Sequence, residues 1–140
     1  MPSANTANKK IIHFDDSLIL VNGIKKILLS HFPEADIKTF TQHQVFTAYV
    51  FNCLDKGEPI DLIITDFMHP GPNGYELAKA IRDYEQNFNR RTAILLLTIY
   101  EQIPGILLGL KENVFDKYIS LQEDEGILLE YIRSVLYQDK

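Results

Sequence analysis

In the segment IITDFMHPGPNG (residues 63–74), an apolar run ends on a bare aspartate, Asp66, and breaks at once into a Pro/Gly loop. Other short apolar runs end in a similar way. Asp15 and Asp16 directly follow KKIIHF, Thr98 closes AILLLT, and Tyr118, Ser120 and Leu121 surround the end of FDKYISL. If these runs are neighbouring strands of one sheet, Asp15, Asp16 and Asp66 converge on one edge. Three carboxylates a few ångströms apart repel by about 4 kcal/mol per close pair. At least one then takes up a proton, unless a divalent cation removes the conflict. Hard oxygen donors completed by water suit magnesium better than zinc. Simpler roles also exist for these residues. Asp15 can cap the following helix with Asp16 solvated, Thr98 can be a strand terminus whose hydroxyl is satisfied locally, and Tyr118 can be a fixed core aromatic.

The elements that must position these residues are legible as alternating patterns. Five strands, KKIIHF, DIKTF, IDLIIT, TAILLLT and FDKYISL, alternate with five amphipathic stretches. The first stretch carries Leu20, Val21, Ile24, Ile27 and Leu28 at a helical period, and the last carries Leu128, Tyr131, Ile132, Val135 and Leu136. Between them, helices are expected over Thr39 to Lys56, closed by Gly57, over Asn73 to Phe88, and over Ile103 to Glu112, where Pro104 and Gly105 occupy the first turn. The third and fourth strands are apolar without alternation, as in a parallel sheet covered on both faces. The pattern predicts a doubly wound α/β domain of five βα units. In such sheets ligands sit beyond the carboxyl ends of the strands, and Asp66 lies on the central one.

Composition narrows the field. The chain has 140 residues, 46% of them hydrophobic, enough for one core of ordinary size. A net charge of −5 gives no field drawing it to phosphate backbones or anionic lipid, so neither nucleic acid nor a membrane is expected as a direct partner. No run approaches the roughly 20 apolar residues of a bilayer span, and MPSANTANKK lacks the core of a secretory signal, so a cytoplasmic protein is expected. Residues 1–8 read as a disordered leader or tag remnant and residues 9–140 as the domain. Cys53, alone, reads as a small buried side chain. His13, His31, His43 and His69 lack mutual metal spacing; His69 stands near Asp66 and could tune it.

Taken together, IIHFDDS, DLIITDFMHPGPNGYEL and ILLLT resemble the receiver domain of two-component response regulators, over Lys9 to about Gln138. The resemblance implies a flavodoxin-like fold with strand order 2-1-3-4-5. It implies that Asp66 accepts a phosphoryl group from a histidine kinase or phosphotransfer protein, and that Asp15, Asp16, Asp66 and the backbone carbonyl of Met68 hold Mg2+. Thr98 would hydrogen-bond the phosphoryl group, and Tyr118 would be the aromatic that swings inward on activation. It further implies a phosphoacceptor regulator rather than an enzyme, with a homodimer or docking face running from the fourth helix to the fifth and including Ile103 to Leu110 and Tyr118. The exposed apolar side chains of that face would be found among Ile106, Leu107 and Leu110, unless these belong to the core.

Two positions depart from the family. Receivers place a lysine three residues after the aromatic of the fifth strand, where this chain has Leu121, followed by Gln122 in place of a proline. Lys117 shares the face of position 121 but lies about 13 Å back along the strand. The family favours a small residue after the hydroxyl of the fourth strand, where this chain has Ile99. A degenerate receiver that binds partners without phosphorylation is therefore the alternative. An unrelated doubly wound enzyme has less support. An aspartyl phosphatase wants a second acid where Met68 stands, and no glycine-rich fingerprint follows the first strand.

Overall fold

A computed structural model describes residues 9–68, 71–99 and 104–137. Strand β1 (Lys10–Phe14) pairs in parallel with β2 (Asp36–Phe40) on one side and β3 (Leu62–Thr65) on the other. Beyond β3 lie β4 (Ala93–Thr98) and β5 (Lys117–Ser120), also parallel, so the sheet order is the expected 2-1-3-4-5. The connecting helices are α1 (Leu18–His31), α2 (His43–Lys56), α3 (Gly74–Glu85), α4 (Pro104–Lys111) and α5 (Glu125–Leu136).

Alternation along the strands sorts the apolar side chains into two layers. Ile12, Phe14, Ile63 and Leu96 pack with Phe46 and Val50 of α2, Leu77 and Ile81 of α3, and Ile106 of α4. Ile11, Ile64, Leu95 and Leu97 pack on the other face with Ile24 and Leu28 of α1 and Leu128 and Ile132 of α5. Both faces of the central strands are dry, and every side chain of β3 is buried. Cys53 is buried in the first layer, as expected.

Helix boundaries differ from the sequence reading. The strand DIKTF is β2 as expected, with Thr39 and Phe40 paired opposite His13 and Phe14; the second helix, expected from Thr39, overlaps that strand, and α2 begins only at His43. The β-branched Thr39 and the aromatic Phe40 suit a strand, and the parallel ladder satisfies their backbone. Helix α3 starts after Asn73, whose side chain accepts from the Glu76 amide while the Glu76 carboxylate accepts from the Asn73 amide. It stops at Glu85 rather than Phe88, ahead of a turn in which Asn89 adopts a left-handed φ of 56°. Helix α4 begins at Pro104, and Ile103 lies outside the described residues. Ile106 is core, whereas Leu107 and Leu108 are exposed and Leu110 is half-buried against the core.

At the amino-terminal end of the sheet, Arg82 of α3 ties three elements together. Its guanidinium donates to Glu85 and Asp116, each at 2.8 Å, and to the carbonyls of Thr92 at 2.8 Å and Val114 at 3.1 Å. The two carboxylates in turn accept from the amides of Thr92 and Ile94, each at 2.7 Å. Arg82 and Glu85 are both buried, so the pair replaces the hydration each loses.

Candidate functional site

The carboxyl edge of the sheet gathers Asp15, Asp16 and Asp66, each able to offer a carboxylate oxygen within 4.8 Å of the others. Asp15 follows β1 and is 2% exposed; its Oδ1 accepts from the Ser17 amide at 2.8 Å. The cap of α1 is Ser17, whose Oγ accepts from the Leu20 amide, so the capping role open to Asp15 in the sequence falls to Ser17. Asp16 is exposed at the rim, and Asp66 is half-buried with its Oδ1 accepting from the Phe67 amide at 2.7 Å. The Asp15 carboxyl is pushed up to about 7, chiefly by burial and then by the charges of Asp66 and Asp16, against the lowering effect of the Ser17 amide. Burial is the larger cause, and the like-charge conflict anticipated from the sequence adds to it.

The aspartates line an open depression of about 510 Å³ whose other walls include Ile19, Met68, Ile99 and Leu121. Leu121 therefore stands at the site. Its amide donates to the Thr98 carbonyl at 2.8 Å, directly beyond the pairing of Thr98 with Ser120. Lys117 is exposed and pairs with Leu95, well back from this edge. Thr98 is fully buried at the end of β4, one residue before Ile99. Tyr118 is half-buried against the α2–α4 layer, opposite Leu96 and on the same sheet face as Thr98. Met68 is exposed, and His69 lies outside the described residues.

Two features escaped the sequence reading. Gly74 donates to the Phe67 carbonyl at 2.7 Å, and a Cβ there would come within 2.6 Å of the Asp66 carbonyl. The start of α3 is therefore pressed against the acidic residue, and glycine is the residue that allows it. Gly105 similarly faces the Phe67 ring, which a Cβ would approach at 2.5 Å, so α4 rests on the neighbour of Asp66. The run PNG signalled a turn, but close backbone approach is a tertiary fact that no local pattern encodes. The second feature is the sign of the edge. Among the described residues, its loops, residues 15–17, 41–42, 66–68, 71–73, 99 and 121–124, contain no Lys or Arg but include Asp15, Asp16, Asp66, Glu123 and Asp124.

No family model matches the sequence, and no curated protein sequence matches it. Solved structures do. The receiver domain of the histidine kinase CKI1 from Arabidopsis thaliana, complexed with Mg2+, superposes with a TM-score of 0.79 at 19% identity, over 96% of this chain and 97% of that one. The Vibrio cholerae chemotaxis protein CheY4 superposes with a TM-score of 0.73 at 23% identity, over 91% and 98% of the two chains. The BeF3-activated DrrB receiver domain gives 0.69 at 23% identity, over 91% and 97%. With strand order 2-1-3-4-5, helices on both faces and near-complete coverage of these neighbours, the chain has the receiver fold.

Proposed function

We propose that this chain is a phosphoacceptor receiver domain of a two-component system, taking a phosphoryl group on Asp66 from a histidine kinase or phosphotransfer protein. The observation that carries the reading is the convergence of Asp15, Asp16 and Asp66 within 4.8 Å at the carboxyl edge of a receiver fold. The donor set fits a magnesium ion: it is all oxygen, and three carboxylates within 4.8 Å of one another, one of them buried, make a site that a cation would relieve of both desolvation and repulsion. Asp15, Asp16, Asp66 and the Met68 carbonyl would hold it. When bound, the ion would neutralise the phosphoryl oxygens.

Asp66 is the nucleophile. Its carboxylate attacks phosphorus as the bond to the donor nitrogen breaks, and the donor ring, already protonated on its other nitrogen, leaves as neutral imidazole. The amide of Phe67, bonded to Asp66 Oδ1, restrains the carboxylate's rotation. Thr98 would donate to the phosphoryl group, and Tyr118 would report its arrival to the face made by α4, β5 and α5, where Leu107 and Leu108 are exposed. That face is the surface for a second copy or a downstream partner. The chain acts as a regulator and not as a turnover enzyme.

A second reading, docking without phosphorylation, is favoured by one observation: Leu121 and Ile99 make the mouth apolar at positions where the family carries a lysine and a small residue. Intact mass after incubation with acetyl phosphate and magnesium, beside Asp66→Asn, separates the two. A phosphoryl adduct on the parent alone supports the acceptor. Absence of an adduct with both the small donor and a cognate kinase supports docking.

A further inference from the structure

The carboxyl edge is single-signed and rimmed with exposed apolar side chains. Ile19 is 87% exposed, Ile99 57% and Met68 46%, and all three border the acidic depression. Leu121 borders it too, and also lines a second, narrower cavity of about 130 Å³ between α1 and α5. It is lined by the buried Ile24, Leu97, Ile119 and Leu128 and by the exposed Glu123 and Asp124. An apolar slot beside an acidic rim is shaped for a side chain of one class on a segment of the opposite charge.

On the acceptor reading, on which this inference rests, the charge at the edge grows. A phosphoryl group carries about two negative charges, and with Asp15 and Asp16 it exceeds the charge of one magnesium ion. None of the described edge-loop residues is a Lys or Arg that could balance the excess. We propose that a protein partner supplies the balancing cation in trans: a basic amphipathic helix seats an aliphatic side chain in the α1–α5 cavity beside Leu121 and directs a Lys or Arg at the phosphoryl group on Asp66. Leu121 then forms an apolar contact where a cis cation would exclude the partner's.

The probe is a synthetic amphipathic helix made of Leu and Lys, beside the same peptide with Glu for Lys, titrated against the full chain with magnesium, with and without beryllofluoride. Fluorescence anisotropy should give binding of the Lys peptide alone, strengthened about tenfold by beryllofluoride, a scale typical of an interfacial charge pair. Leu121→Lys should remove that strengthening, and Glu123→Gln with Asp124→Asn should weaken binding about threefold. Strengthening that survives in Leu121→Lys overturns the inference, as does displacement of the peptide by spermidine at equal charge concentration, which would mean a small cation suffices. If intact mass shows no phosphoryl adduct and beryllofluoride has no effect on the parent, the acceptor reading falls separately. Docking is then judged on the unloaded protein: loss of peptide binding in Leu121→Lys sustains it, and unchanged binding overturns it.

Discussion

Asp15 carries the clearest pH signature of any single residue. Its carboxyl is raised by burial and by Asp66 and Asp16, so between its ordinary value of 3.8 and about 7 the native state holds a proton that the unfolded chain has released. The stability contributed by that proton is full below the ordinary value and is lost as pH rises through the native one. Burial also lowers His13 from 6.5 to about 4, which gives an opposite slope between those values, so the melting temperature of the metal-free protein should fall chiefly from about pH 6.5 to about pH 8. Saturating magnesium should restore it at the upper end, because binding displaces the proton and removes the repulsion. Asp15→Asn should remove the fall above about pH 6.5 and abolish the magnesium effect, both read by thermal melts in chelator and in magnesium. A second prediction belongs to Leu121. If phosphoryl and switch are coupled through this position, Leu121→Lys should enlarge the phosphoryl-dependent shift of the Tyr118 ring resonances. An unchanged shift, with Lys117 essential instead, would show the coupling runs elsewhere.

Elements show what a sequence can and cannot disclose. The α1 stripe was readable because Val21, Ile24 and Leu28 recur at one period and are buried, and β3 because an uninterrupted apolar run has no solvent face. The onset of α2 is not fixed locally: Thr39 and Phe40 fall in both the strand DIKTF and the helix expected from Thr39, and only their pairing with β1 decides between the two. The three carboxylates were legible because strand order alone brings strand ends together. The Arg82 network was not, since its partners at Glu85, Thr92, Val114 and Asp116 are joined only by folding. Arg82→Met should destabilise the fold by about 3–5 kcal/mol, because Glu85 is left buried without its counter-charge; denaturant unfolding measures it. Gly74→Ala tests the press of α3 on Asp66. A Cβ within 2.6 Å of the Asp66 carbonyl must move backbone, and a loss of about 1–3 kcal/mol with slower phosphoryl uptake is expected.

Across the whole molecule, charge is distributed unevenly between the two ends of the sheet. Every described Lys and Arg lies outside the carboxyl-edge loops, and none falls within the first four residues of any helix. Salt should thus act in opposite directions on two donors. Uptake from anionic acetyl phosphate should quicken about twofold as the edge is screened, while transfer from a basic protein donor should slow; adduct formation followed by mass spectrometry at fixed magnesium would show both. The Arg82 network lies at the other end. The Thr92 and Ile94 amides are held by carboxylates that the guanidinium itself secures, whereas the chain at Leu121 is tied to its neighbour by one amide on the Thr98 carbonyl. In deuterated water the molecule should therefore keep time at two rates. Protons at Thr92 and Ile94 should persist until the whole chain opens, and those beyond Ser120 should be lost in local openings long before. Motion at the acidic edge is then a pivot about a fixed end, with no need for the sheet to loosen as a whole.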